Sequence, residues 1–113
     1  MQQYLILLQG KGALDYSPEE FRKRMDGFQD WVEGLADRYI SANRLKNQGA
    51  HFKNQTQVIT DGPFLEPTEI IAGYIIFKAE SLEAAMADVA RLPLLAHFEA
   101  ILRPMVETDS SQE

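Results

Sequence analysis

The sequence contains no cysteine and only two histidines, and these shortages exclude several kinds of chemistry. Without a thiol there is no disulfide framework, no cysteine nucleophile, no redox pair and no cysteine-rich zinc site. His51 and His97 are too few for a histidine-rich metal cage. We therefore expect neither a metal nor a cofactor. The 113 residues, 45% of them hydrophobic, are enough to bury a core without a disulfide or a metal.

Basic residues are also in short supply. The chain has 11 Lys and Arg against 17 Asp and Glu, which gives a formal net charge of −6. Residues 61–113 hold 10 acidic and only 3 basic residues, so the acidity belongs to the second half. The one basic cluster, residues 22–24, lies in a predicted helix among acidic residues, and we interpret it as a solvated helix face. No nucleic-acid partner is expected from this charge balance.

Long hydrophobic runs are absent as well. None approaches the roughly 20 residues that a membrane-spanning helix needs. The first residues lack the basic stretch and apolar core of a signal peptide. We therefore expect a cytoplasmic protein with no membrane partner. Residues 1–105 are predicted to form a single domain, and residues 106–113, which are poor in apolar side chains, a disordered tail.

Two helices are predicted from caps and hydrophobic spacing. Ser17 is a candidate N-cap followed by Pro18, and apolar residues at steps of three or four predict a helix to about residue 39. Phe28 and Trp31 share this spacing and are expected in the core. Ser81 is the candidate N-cap of a second helix that ends before Pro93. The buried stripe of this second helix is predicted to be Leu82, Ala85, Met86 and Val89.

Strands are predicted from apolar and alternating runs. The predicted strands are residues 3–9, a short segment near 40–46, a short run at 56–60, residues 70–79, and a last strand that ends at Pro104. Gly73 marks a bulge or a close approach of another backbone. The order βαββ(β)αβ predicts an α+β, ferredoxin-like fold with an antiparallel sheet.

The predicted sheet has more apolar surface than two helices can cover. Two helices cover one face of a four-stranded sheet, yet residues 3–9 and 70–79 are apolar on both faces. A second copy of the chain would cover the other face. We therefore expect a homodimer formed by sheet-on-sheet packing.

The string Asp61-Gly62-Pro63-Phe64 is a recognisable signature. Together with Gly73-Tyr74 and Arg103-Pro104, this string resembles the signature of the DGPF-type branch of the YCII-related proteins. The resemblance covers most of the chain. The resemblance implies a dimeric α/β barrel of the ferredoxin-like type. It implies little about activity, because such proteins are mostly of undefined function and are sometimes associated with alternative sigma factors.

Other YCII-related proteins carry a His–Asp pair that is proposed as an acid/base site. Their His lies on the first helix, and their Asp directly precedes the Pro that ends the second helix. The first predicted helix of this chain has no His, and Leu92 precedes Pro93. The resemblance therefore does not imply that this activity is present, and we lean towards a protein that is not an enzyme.

Two interpretations of function remain open, and they differ in class. The first is a small non-catalytic module that binds a metabolite or a regulatory protein through the mouth of its barrel and the DGPF loop. Its candidate ligand-binding residues are Phe64, Tyr74, Glu99 and Arg103. We favour this interpretation.

The second interpretation is a cofactor-independent enzyme of the isomerase, hydrolase or monooxygenase type, with His97 and Asp61 as acid/base groups. On the predicted last strand, His97, Glu99 and Arg103 occupy alternate positions and would point to the same side. A neighbouring carboxylate favours the imidazolium form of a histidine. Such clusters are more often structural ion pairs, and an Asp before Gly-Pro more often organises a turn. The enzyme interpretation requires His97 and Asp61 to meet at one cavity.

Overall fold

A four-stranded antiparallel sheet with two helices forms the body of the protein. The computed structural model describes residues 1–10, 17–46, 48–60 and 70–107. The strands pair in the order β2-β5-β1-β6, which is the ferredoxin-like order that the sequence predicts. The elements are β1 (Gln2–Gln9), α1 (Pro18–Leu35), β2 (Tyr39–Arg44), β3 (Ala50–Phe52), β4 (Val58–Thr60), β5 (Ile71–Ala79), α2 (Leu82–Ala90) and β6 (Glu99–Pro104).

The first helix begins where its cap predicts and ends earlier than expected. The Ser17 hydroxyl accepts a hydrogen bond from the Glu20 backbone N–H at 3.1 Å. The helix stops at Leu35 because Ala36 has a φ of 55°, which a right-handed helix does not allow. The prediction of a helix to residue 39 is therefore wrong. A short 3-10 segment, Ala36–Arg38, then leads into β2.

The core lies between the two helices and one face of the sheet. Ile6, Ile75 and Phe77 are its largest fully buried side chains. Trp31 meets Phe77 edge to face, with ring centroids 5.9 Å apart, and Phe28 packs against the same cluster. These contacts confirm that Phe28 and Trp31 belong to the core.

The predicted buried stripe of α2 is partly wrong. Ala85 is fully buried and Val89 packs against the core, but Leu82 and Met86 are 47% and 57% exposed. The inward position one turn after Ala85 is taken by Asp88, which is only 3% exposed. The prediction fails because the side chain of α2 that faces the core here is an ion-paired carboxylate. Apolar spacing does not indicate a buried charged residue.

The opposite face of the sheet is apolar but lies away from both helices. Residues of β1 alternate, so Tyr4, Ile6 and Leu8 are buried under the helices while their neighbours point the other way. On that other face, the strand register brings apolar side chains of three strands side by side: Leu5, Leu7, Ile76 and Ile101. We call this surface the open face. Its existence agrees with the two-sided strands predicted from the sequence.

Gly73 is a point of close approach, as the sequence predicts. A Cβ atom at this position would lie 2.7 Å from the backbone oxygen of Asn43 in β2. The pairing of β1 with β5 also shifts beside it, since Leu8 pairs with Gly73 and Gln9 with Ile71. A side chain at residue 73 would therefore push β2 away from β5.

The short β-rich run before the DGPF string forms a separate hairpin. Only Val58–Thr60 of the predicted 56–60 segment is a strand, and it pairs with Ala50–Phe52 rather than with the main sheet. Polar residues surround Phe52 in the sequence, which is why β3 is not predictable from hydrophobic spacing.

Within the described residues, no helix is long and apolar enough to cross a membrane.

Candidate functional site

A cavity of about 240 Å³ lies between the first half of α1 and the sheet. The helix supplies one wall, and the ends of β1, β2 and β5 supply the floor. Most of its lining is apolar, and six of these residues are Leu8, Met25, Phe28, Ala42, Leu94 and Phe98. Gly73 lies in the floor directly opposite Leu8 and Arg44, and it places no side chain in the space.

Two guanidinium groups line this cavity, and each lies over a phenyl ring. The Cζ atom of Arg44 is 4.6 Å from the centroid of the Phe21 ring. The Cζ atom of Arg24 is 5.7 Å from the centroid of the Phe98 ring. Both distances are within the range of cation–π attraction. The interpretation of residues 22–24 as a wholly solvated face is therefore wrong for Arg24.

The two arginines differ in how their charge is compensated. The Nε atom of Arg24 donates to Glu20 Oε1 at 3.2 Å, in a pair one helical turn apart. Arg44 makes no ion pair with a carboxylate in the part of the chain that the structure describes. No Asp or Glu is among the described lining residues. As far as the described residues line it, the cavity is therefore mostly apolar and has two arginines in its wall.

His97 directly precedes Phe98, which lines the cavity, but His97 is not itself among the described lining residues. Its Nε2 atom is 3.1 Å from Glu20 Oε1, the oxygen that also accepts from Arg24. His97 follows the 3-10 segment Pro93–Ala96 and precedes β6, with φ and ψ of −123° and −21°. The strand alternation therefore does not extend to it.

The predicted grouping of His97 with Glu99 and Arg103 is wrong for this reason. Glu99 and Arg103 belong to β6. They pair with Gln9 and Leu5 of β1, respectively, and lie on the open face. The two residues are exposed and lie away from the cavity.

The remaining predicted site residues divide into two groups. Tyr74 is among the residues that line the cavity, but its pairing with Leu7 places its side chain on the open face, so only its backbone can border the cavity floor. Asp61 and Phe64 lie outside the described residues, as does the whole DGPF string. Among the described residues, no three His, Asp or Glu side chains are placed to hold a metal ion.

Sequence reasoning missed the residues that give the cavity its charge. Arg44 follows Ala42 by two positions in a strand, which is the one local signal that it faces the same side. Its contact with Phe21 joins α1 to β2, and no local pattern specifies such a contact.

The architecture is that of a small ferredoxin-like α+β protein with a cavity between helix and sheet. The chain matches the YCII-related domain over residues 3–105, and it belongs to that family. This confirms the resemblance seen in the sequence. No curated protein matches the chain significantly.

The fold is similar to a solved enzyme structure. The 5-chloro-2-hydroxyhydroquinone dehydrochlorinase of Burkholderia phenoliruptrix, in complex with 2,5-dihydroxybenzoquinone, superimposes with a TM-score of 0.53 at 16% sequence identity. The match covers 94% of this chain and 95% of the other. This likeness confirms the ferredoxin-like fold.

Proposed function

We propose that the protein binds a small organic molecule in the cavity between α1 and the sheet. The observation that carries this proposal is the concave apolar space of about 240 Å³ with Arg24 and Arg44 in its wall. Sites for small molecules are typically concave, mostly apolar and equipped with a few polar groups. Drug-sized ligands occupy roughly 300–1,000 Å³, so this volume suits a molecule of one or two rings.

The fold comparison supports a ligand of this size. The dehydrochlorinase with a similar fold was solved with 2,5-dihydroxybenzoquinone, a compound with one ring. Its fold therefore accommodates a small cyclic molecule. We propose a small cyclic ligand for this chain as well. The reaction of the dehydrochlorinase is not part of this proposal.

The proposal is tested by filling the cavity. Ala42 lines it and lies opposite Ile75 on the helix-facing side of the sheet. We expect Ala42→Leu to weaken binding of any compound found in a library of one-ring and two-ring molecules by about tenfold or more, because the leucine occupies the ligand's space. Ligand-observed NMR measures this effect.

The matched control for this variant is Ala87→Leu, which makes the same change on an exposed position of α2. The control should bind as the wild type does. Equal binding by Ala42→Leu and Ala87→Leu, or no ligand for the wild type, would show that the cavity is not the binding site. Circular dichroism of both variants separates loss of the site from loss of the fold.

A catalytic role is the second candidate, and the His97–Glu20 pair favours it. A histidine held by a carboxylate beside a cavity has the arrangement of a general base. The likeness to a dehydrochlorinase also supports an enzyme acting on a small organic molecule. The acid/base partner proposed from the sequence, Asp61, lies outside the described residues.

Turnover separates the two candidates. Purified protein is incubated with chlorinated hydroxyhydroquinones and with any ligand from the library, and the products are followed by NMR. Conversion that disappears in His97→Gln while binding persists would establish the enzyme. Binding without conversion would support the non-catalytic module.

A further inference from the structure

We infer that the ligand of this cavity is an aromatic carboxylate whose acid group pairs with Arg44. This inference rests on the proposed function, because it names the chemical class of the molecule that occupies the same cavity.

Among the described residues, Arg44 is the arginine of the cavity that has no carboxylate partner. Among the described residues, its side chain has a ring contact with Phe21 but no hydrogen bond and no ion pair. Arg24 is different, since it already donates to Glu20. An anionic ligand therefore gains a charge partner at Arg44 without displacing a hydrogen bond or ion pair that Arg44 makes to another described residue. A neutral ligand gains no such partner.

The geometry of Arg44 selects a flat, forked acceptor. The Cζ atom of Arg44 lies 4.6 Å from the centroid of the Phe21 ring, and the N–H groups of a guanidinium point outward in its own plane. Two parallel N–H groups match the two oxygens of a carboxylate. A carboxylate is therefore an anion that fits these donors, and its single charge matches the single charge of Arg44.

The lining favours a ring attached to that carboxylate. Three phenylalanines, Phe21, Phe28 and Phe98, line the space. Aromatic pairs are attracted beyond the effect of buried area when their centroids are roughly 4.5–7 Å apart. Phe28 is itself held against Trp31, with centroids 6.2 Å apart, so part of this wall is fixed by the core. A planar aromatic ring has more to gain here than a puckered aliphatic one.

Three probes separate the charge from the ring. Benzoate carries both features, benzamide has the ring without the charge, and cyclohexanecarboxylate has the charge without the aromatic ring. We expect benzoate to bind the wild type about tenfold more tightly than benzamide, because one charged hydrogen-bonded pair is worth about that factor. Cyclohexanecarboxylate should bind less tightly than benzoate. Trp31, the one tryptophan of the chain, contacts the Phe28 wall and provides a fluorescence signal besides NMR.

Arg44→Gln tests the residue itself. We expect this variant to lose about tenfold in benzoate affinity and to bind benzamide as the wild type does. Arg44→Lys should restore part of the benzoate affinity, because it returns the charge without the fork. The control is Arg22→Gln, which removes a positive charge from an exposed position of α1 that does not line the cavity. It should leave the affinity for both probes unchanged.

Each outcome bears on either the inference or the proposed function. Equal affinity for benzoate and benzamide, or equal benzoate loss in Arg44→Gln and Arg22→Gln, would overturn the role of Arg44. Equal affinity for benzoate and cyclohexanecarboxylate would overturn the aromatic preference. Absence of benzoate binding overturns the inference. In that case a neutral library compound that Ala42→Leu excludes would still support the proposed cavity, and the lack of any such compound would overturn both.

Discussion

Asp88 is the one charged residue that is buried in the part of the chain that the structure describes. Its Oδ2 atom accepts from Arg38 at 2.6 Å, and its Oδ1 atom accepts from Arg91 at 2.6 Å. The Asp88 backbone oxygen accepts from Trp31 Nε1 at 2.8 Å. Arg38 also donates to the Lys78 backbone oxygen at 3.1 Å. Asp88 therefore joins α2 to α1, and its partner Arg38 extends the link to β5.

We expect Asp88→Ala to lower the free energy of unfolding by about 2–3 kcal/mol. Removal of the buried carboxylate leaves Arg38 and Arg91 without a carboxylate partner. The loss is at the low end because Arg38 keeps its bond to Lys78 and Arg91, which is 65% exposed, can regain water. Urea denaturation measures the change. Asp26→Asn, at an exposed position of α1, should shift it by less than about 0.5 kcal/mol. Equal effects of the two substitutions would contradict this role for Asp88.

The same ion pair has a defined pH dependence. The hydrogen bond that Arg38 donates to the Asp88 carboxylate raises the pKa of the Arg38 guanidinium above its ordinary value. A group whose pKa is raised in the folded state contributes fully below its unfolded pKa and loses that contribution as pH rises through the folded pKa. The contribution of Arg38 is therefore constant across neutral pH and is lost only in strongly alkaline solution.

At the scale of elements, Gly73 controls how closely β2 and β5 approach. An added Cβ would lie 2.7 Å from a backbone oxygen, which cannot move without separating the strands. The same glycine leaves the floor of the cavity free of a side chain. The close approach of β2 to β5 and the open floor of the cavity therefore both depend on residue 73.

We expect Gly73→Ala to destabilise the protein by about 1–3 kcal/mol, the usual range for overpacking. Gly34→Ala makes the identical chemical change near the end of α1, where a Cβ would meet nothing within 4 Å. It should stabilise the protein by about 0.5 kcal/mol, because alanine favours a helix more than glycine does. The opposite signs are measured as shifts in thermal midpoint. Stabilisation by both substitutions would show that the strands tolerate the extra atom.

At the scale of the whole molecule, we propose that two copies of the chain pair through the open face. Leu5, Leu7 and Ile76 are only half-buried within one chain, and Ile101 is 40% exposed. Adjacent apolar positions on three strands make a continuous surface. Exposed surfaces of this kind commonly mark sites of association.

We expect the wild type to be a dimer at micromolar concentration and Ile76→Lys to be a monomer. A lysine at the centre of a sheet-on-sheet interface buries an unpaired charge, which costs several kcal/mol. Size-exclusion chromatography with light scattering measures the mass. Met86→Lys places the same charge on an exposed position of α2 and should remain a dimer. A monomeric wild type would refute the proposed dimer.

The sequence itself determined the order of the two helices and the four strands of the main sheet, the caps at Ser17 and Ser81, and the two-sided strands. Each depends on residues close together in the chain, so spacing and capping chemistry are enough to predict them. The close approach at Gly73 was also predictable from the sequence, because a glycine within a strand has no side chain to keep another backbone away.

Only the tertiary structure decided which polar residues meet. Asp88 occupies a core position because Arg38 and Arg91 reach it, and His97 faces Glu20 because a 3-10 segment interrupts the alternation before β6. The placement of Arg44 over Phe21 joins a strand to a helix. These contacts depend on how separate elements pack, and hydrophobic periodicity specifies which face is buried without specifying which charged groups meet there.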